Sequence, residues 1–150
     1  MRMHKASVLA LCLLSGCGGD SPTSSSGPAN LAGGWTYRQQ APASCPLPAS
    51  HRTLTLPATL VAMGGNAYTM TLAGTDSSAS YSFFYWAGSS YRGSILYTRR
   101  TGSELAVFTV NDAAFSASAN SMSASTGGEY QYLGTTLVDC MGTFTISLTR

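Results

Sequence analysis

Residues 52–63 read RTLTLPATLVAM, Gly64-Gly65-Asn66 follow, and residues 67–73 read AYTMTLA. In an extended chain successive side chains point to opposite faces. Leu54, Leu56, Ala58 and Leu60 therefore share one face of the first run. Tyr68, Met70 and Leu72 share one face of the second, and Thr69 and Thr71 take the other. Two half-buried strands joined by residues that tolerate positive φ make an antiparallel hairpin with one apolar side. Pro57 lacks the N–H that a ladder needs, so it marks an edge, a bulge or a bend.

The same rhythm extends outward in both directions. Residues 31–40 form a strand around Trp35, and a Pro-rich loop containing Cys45 spans 41–51. After the turn Asp76-Ser77-Ser78 come strands at 80–87 and 90–98, joined near Gly88, with Tyr91, Gly93, Ile95 and Tyr97 on one face. Arg99-Arg100-Thr101-Gly102 reads as a turn, 104–110 as a strand and Asn111-Asp112 as another turn. Residues 113–126 are mostly Ser and Ala, with a tight hairpin expected at Asn120. Gly127-Gly128 precedes a strand over 130–137. The last strand, 141–149, turns Phe144, Ile146 and Leu148 inward. Past residue 14 nothing carries helical periodicity. Closely spaced short strands with turns between them predict an all-β domain, a barrel or a sandwich.

Composition narrows the class further. The 150 residues suit one domain. Only 9% of residues are charged and the formal net charge is +2, too little basic surface to neutralise a phosphate track. No nucleic-acid partner is expected. Nor does any apolar run reach the roughly 20 residues of a membrane-spanning helix.

The first residues read as an address rather than as fold. Arg2 and Lys5 form a basic n-region and residues 6–14 a short apolar h-region, the pattern of an export signal. Leu14-Ser15-Gly16-Cys17 resembles the lipobox of bacterial lipoproteins. The resemblance implies cleavage before Cys17, acylation of that cysteine and attachment to a membrane by its acyl chains. Two or three acyl chains anchor stably where one does not. Gly18, rather than Asp, follows the lipidated position, which in a diderm bacterium points to the outer membrane. The alternative is a soluble exported protein cut near Cys17 by the ordinary signal peptidase. The expected organisation is a signal over 1–16, Cys17 with a Gly/Ser/Pro linker over 17–30, and the β-domain over 31–150. A linker of that composition reaches about 20 Å. Without the signal, six arginines balance six carboxylates and no lysine remains.

Cys45 and Cys140 are then the cysteines left over, an even pair in an exported chain. They read as one disulfide, the alternative being two free buried thiols. Leu31-Ala32-Gly33-Gly34-Trp35 resembles the Gly-x-Trp opening of the lipocalin and avidin-like barrels, the calycin group, and residues 144–150, FTISLTR, resemble their last strand. The resemblance implies a single antiparallel up-and-down β-barrel of about eight strands, with Arg150 packed over Trp35 where the barrel closes. Facing residues of an antiparallel pair have numbers with a constant sum. Trp35 with Arg150 and Cys45 with Cys140 both add to 185. First and last strands should therefore lie antiparallel in one register, and a simple meander then needs an even number of strands. Eight is expected, or ten if the Asn120 hairpin counts as two.

Few residues suggest catalysis. His51 is the one histidine outside the signal and reads as an exposed loop residue. No metal-site, redox or nucleophile-elbow motif occurs. The expectation is a non-enzyme without cofactor or metal. In Phe83-Phe84-Tyr85-Trp86 one aromatic pair must face outward. Phe84 and Trp86 are then either ordinary packing under a loop or an interaction surface. Arg99-Arg100 are solvated charges, or contacts for a lipid headgroup or an anionic glycan.

Two functions fit a monomeric barrel anchored in the bacterial envelope. The first is binding of a small apolar ligand inside the barrel, lined by Tyr68, Met70, Tyr91, Ile95 and Tyr97, with Gly93 and the Ala/Ser-rich strand leaving room. The alternative is an envelope structural or interaction lipoprotein with a filled barrel, binding a protein or glycan through its outward aromatics and loops.

Overall fold

Eight strands run consecutively around one closed antiparallel barrel: β1 (Gly33–Gln40), β2 (Thr53–Gly64), β3 (Ala67–Leu72), β4 (Ser80–Ala87), β5 (Ser90–Thr101), β6 (Glu104–Ala117), β7 (Ser121–Leu133) and β8 (Leu137–Thr149). The computed structural model describes residues 28–75 and 80–150. The signal, the lipobox with Cys17, most of the linker and the turn at Asp76 lie outside the described residues.

Closure follows the register expected from the sequence. Thr36 faces Thr149 and Gln40 faces Thr145, so facing numbers in the β1–β8 ladder add to 185. Beyond its lower end Cys45 and Cys140 form a disulfide with Cα atoms 5.5 Å apart. At its upper end the Arg150 guanidinium sits 4.4 Å from the centre of the Trp35 ring.

The upper end carries the β2–β3, β4–β5 and β6–β7 turns, and the segment before β1 crosses it. Leu31 is fully buried there. The Trp35 indole donates to the Leu31 carbonyl at 2.8 Å, and Arg150 Nη2 donates to the Ala32 carbonyl at 2.7 Å. The lower end is covered by the Pro-rich loop. The loop contains one helical turn, α1 (Ala49–Arg52), which the sequence did not announce because four residues cannot show a helical period. Its base is closed by the Ala41 N–H donating to the Arg52 carbonyl at 2.9 Å.

Apolar side chains point into the barrel and Thr, Ser and charged residues cover most of its outside. A barrel that spans lipid needs the reverse, an apolar outer band.

Three stretches differ from the sequence expectation. Asn111-Asp112 is not a turn. β6 runs straight through it, with Asp112 at φ 53° and the β5–β6 register shifting between Gly93 and Ile95. The residues form a bulge, so 104–110 and 113–117 are one strand; 121–133 is likewise unbroken, and the two mergers bring the count to eight with the Asn120 hairpin between β6 and β7. Gly127-Gly128 lies inside β7, and the chain turns instead at residues 134–136. There Gly128 faces Gly142 across β7–β8. A Cβ on Gly128 would sit 2.9 Å from Val110, and one on Gly142 would sit 2.9 Å from Pro42. The absent side chains let strands and loop approach. Arg99 and Arg100 stand on β5, opposite Ala106 and Leu105, rather than in the turn.

Candidate functional site

The five residues expected to line a ligand cavity all point inward. Tyr68, Met70, Tyr91, Ile95 and Tyr97 are between 0% and 6% exposed. A side chain beside a void large enough for water would keep accessible surface, and Tyr91, Ile95 and Tyr97 keep at most 1%. Protein interiors pack this way when side chains fill them.

The room expected at Gly93 is taken. A Cβ there would meet the Phe83 ring at 2.5 Å and the Ser82 carbonyl at 2.7 Å. Phe83 in turn packs edge-on against Phe115, with ring centres 5.1 Å apart. Phe108 meets Tyr97, Tyr130 and Phe144 in a continuous cluster of tilted and edge-on rings. Gln39 is buried among these rings, and its Oε1 accepts from the hydroxyls of Tyr37 and Tyr97, both at 2.9 Å. Burial holds both phenols well above their usual pKa. Composition does not single out Gln39. Only its odd-numbered position beside Tyr37 on β1 marks it as inward.

Phe84 and Trp86 point outward from β4, at 45% and 66% exposure. Trp86 is the extra residue of a bulge, because the β4–β5 register shifts between Tyr85 and Ala87. A bulge re-aims the side chain it carries. Arg92, opposite Phe84 on β5, stacks over Trp86 at 5.6 Å, and its Nε lies 3.3 Å from Asp112. The β6 bulge thus delivers a carboxylate to the arginine that braces the tryptophan. On β2, Met63 is the extra residue of a third bulge near the same rim, and it too is 66% exposed.

The lower end holds a cluster that the sequence left scattered. His51 is mostly covered rather than exposed, because its ring lies against Tyr132 with centres 4.1 Å apart. His51 Nε2 is 3.5 Å from Glu104 Oε2, and the Tyr132 hydroxyl donates to Glu104 Oε1 at 2.8 Å. That hydrogen bond raises the Tyr132 pKa, with burial adding to it. The three residues come from α1, β6 and β7 and fasten the loop to the barrel floor. Only the folded loop brings them together.

A shallow cleft of about 390 Å³ opens on the outer wall where the β6–β7 ladder is interrupted between Thr109 and Ser116. Asn111, Glu129 and Met141 border it over a floor that includes Gly127 and Gly128. Among the described residues no three metal-ligating side chains gather.

No family model matches the chain, and neither a curated protein nor a solved structure matches it. What defines its class is the closed eight-stranded meander itself, which is consistent with a calycin-like domain.

Proposed function

We propose that this chain is a lipid-anchored protein of the bacterial cell envelope whose barrel is a solid scaffold and whose outer wall, centred on Phe84 and Trp86, is the working surface. The filling of the interior supports this reading over the carrying of a small apolar ligand. Tyr91, Ile95 and Tyr97 keep no water-sized space beside them, and the slot at Gly93 holds the Phe83 ring. Both ends are shut, one by Leu31 beneath Trp35 and Arg150, the other by the disulfide-tied loop. A ligand would have to displace close-packed rings, whereas the outer aromatics are already presented. Exposed apolar patches mark interaction sites. In this reading the protein is not an enzyme, and His51, Glu104 and Tyr132 are a structural tie.

Native mass spectrometry of the purified full-length protein separates the two uses of the barrel. The expected spectrum holds the acylated chain without a further bound species. A stoichiometric apolar molecule that survives purification would overturn the proposal. In cells, Phe84→Ser with Trp86→Ser is expected to abolish the function while leaving abundance and the disulfide intact.

A further inference from the structure

The way the chain leaves the barrel bears on what the Trp86 wall touches. The Ala29 carbonyl accepts hydrogen bonds from the hydroxyls of Tyr68 at 3.4 Å and Tyr91 at 2.9 Å. Tyr68 is on β3 and Tyr91 on β5, the two strands that flank β4. The N-terminal segment is therefore pinned at the rim above the very strand that carries Phe84 and Trp86. From Pro28 back to Cys17 is eleven residues, at most about 40 Å of extended chain.

The surface in this sector is apolar. Val61 and Met63 on β2 and Phe84 and Trp86 on β4 are all exposed. Between them β3 presents Ala67, opposite both Gly64 and Phe84, and Thr69, opposite both Val61 and Ser82. No long polar side chain divides the patch. Its charges are Arg92 and Asp112, which are paired with each other, and no unpaired carboxylate lies on it among the described residues. Trp, with an apolar body and a polar edge, is the residue that favours the headgroup level of a bilayer. Arg92 beside it is balanced by Asp112, so the patch carries no net charge to be desolvated.

We infer that the wall formed by Val61, Met63, Phe84 and Trp86 rests on the phospholipid bilayer to which the same chain is tethered. The inference depends on Cys17 being the anchor. The tether keeps the patch within reach of lipid, so contact that is weak for a free protein becomes intramolecular and persistent. The barrel then lies on its side against the membrane and turns the opposite wall, β7 and β8, toward the aqueous space.

The test uses the full-length protein, purified from the envelope and reconstituted in phosphatidylethanolamine–phosphatidylglycerol vesicles with and without brominated acyl chains. Trp86→Phe keeps the patch apolar and leaves Trp35 as the sole tryptophan, so the difference between parent and variant isolates Trp86 emission. The expected result is loss of most of that emission in brominated vesicles, together with poor quenching by aqueous iodide. Trp86 open to iodide and unaffected by brominated lipid, in protein that floats with the vesicles, would overturn the inference and leave the anchor standing. Protection from iodide that requires added envelope glycan or protein would also overturn it and assign the patch to that partner. An unacylated Cys17 peptide in protein that does not float would overturn the anchor, and this inference with it.

Discussion

Gln39 shows how one side chain fixes a barrel interior. Its single carbonyl oxygen satisfies two phenols, one from its own strand and one from β5 on the other side of the barrel. Replacing it with leucine keeps the volume but strands two buried hydroxyls, each worth about 1–3 kcal/mol when unpaired. Gln39→Leu is therefore expected to lower unfolding free energy by about 2–6 kcal/mol in urea titrations. Adding Tyr97→Phe should recover part of that loss, because one stranded hydroxyl disappears. An additive penalty from the second change would contradict the shared-acceptor picture. Gly93 makes the complementary point through absence. The space above it belongs to Phe83 and to the Ser82 carbonyl, which cannot move aside as a flexible side chain can. Gly93→Ala is expected to cost about 1–3 kcal/mol by overpacking, read as a lower denaturant midpoint. If Gly93 instead bordered open space, the alanine would be neutral or stabilising.

Elements differ in how much of them the sequence discloses, and the loop over residues 41–52 discloses least. Its composition announces an irregular connection, yet its work depends on what it meets. Pro42 lies on Gly142, Cys45 joins Cys140, and His51 reaches Tyr132 and Glu104. The disulfide spans 95 residues of sequence, for which the chain-entropy model gives up to about 4.7 kcal/mol. Cys45→Ala with Cys140→Ala is expected to cost about 2–5 kcal/mol. The loop should then become the first protease-sensitive site while the β-sheet circular dichroism persists. Strand alternation, by contrast, was readable from 53–73 alone, because half-buried strands must repeat every two residues. Bulges were not readable. Asn111-Asp112 and Gly127-Gly128 carry turn chemistry, since positive φ and a missing Cβ serve a turn, a bulge and a close approach alike. Which of these a residue serves is decided by its neighbours across the sheet. The outward aim of Phe84 and Trp86 followed from parity. The filling of the lumen did not, because it depends on how Phe83, Phe108, Phe115 and Phe144 divide the volume.

Seven of the eight tyrosines lie buried in the barrel, and this sets the molecule's response to alkali. Burial pushes Tyr37, Tyr81 and Tyr97 far above the ordinary phenol pKa of about 10, and Tyr130 up to about 12. Below about pH 10 these phenols hold their protons in both the folded and unfolded chain, so their contribution to stability is intact. Above it the unfolded chain releases protons that the folded barrel retains. The unfolded state then binds fewer protons, and stability falls as pH rises by about 1.4 kcal/mol per unit for each such tyrosine. The loss continues until each folded-state pKa is passed. With several acting together, a domain of ordinary stability cannot survive far above pH 11. The barrel is expected to open in one cooperative step between about pH 10 and 12, with phenolate absorbance of the buried tyrosines and loss of far-ultraviolet strand signal sharing a single midpoint. Tyr97→Phe should make the decline with pH shallower, since one proton fewer is released on unfolding. Phenolate absorbance that rises gradually while the strand signal stays constant would mean that these rings are open to solvent, and that the interior is looser than its packing indicates.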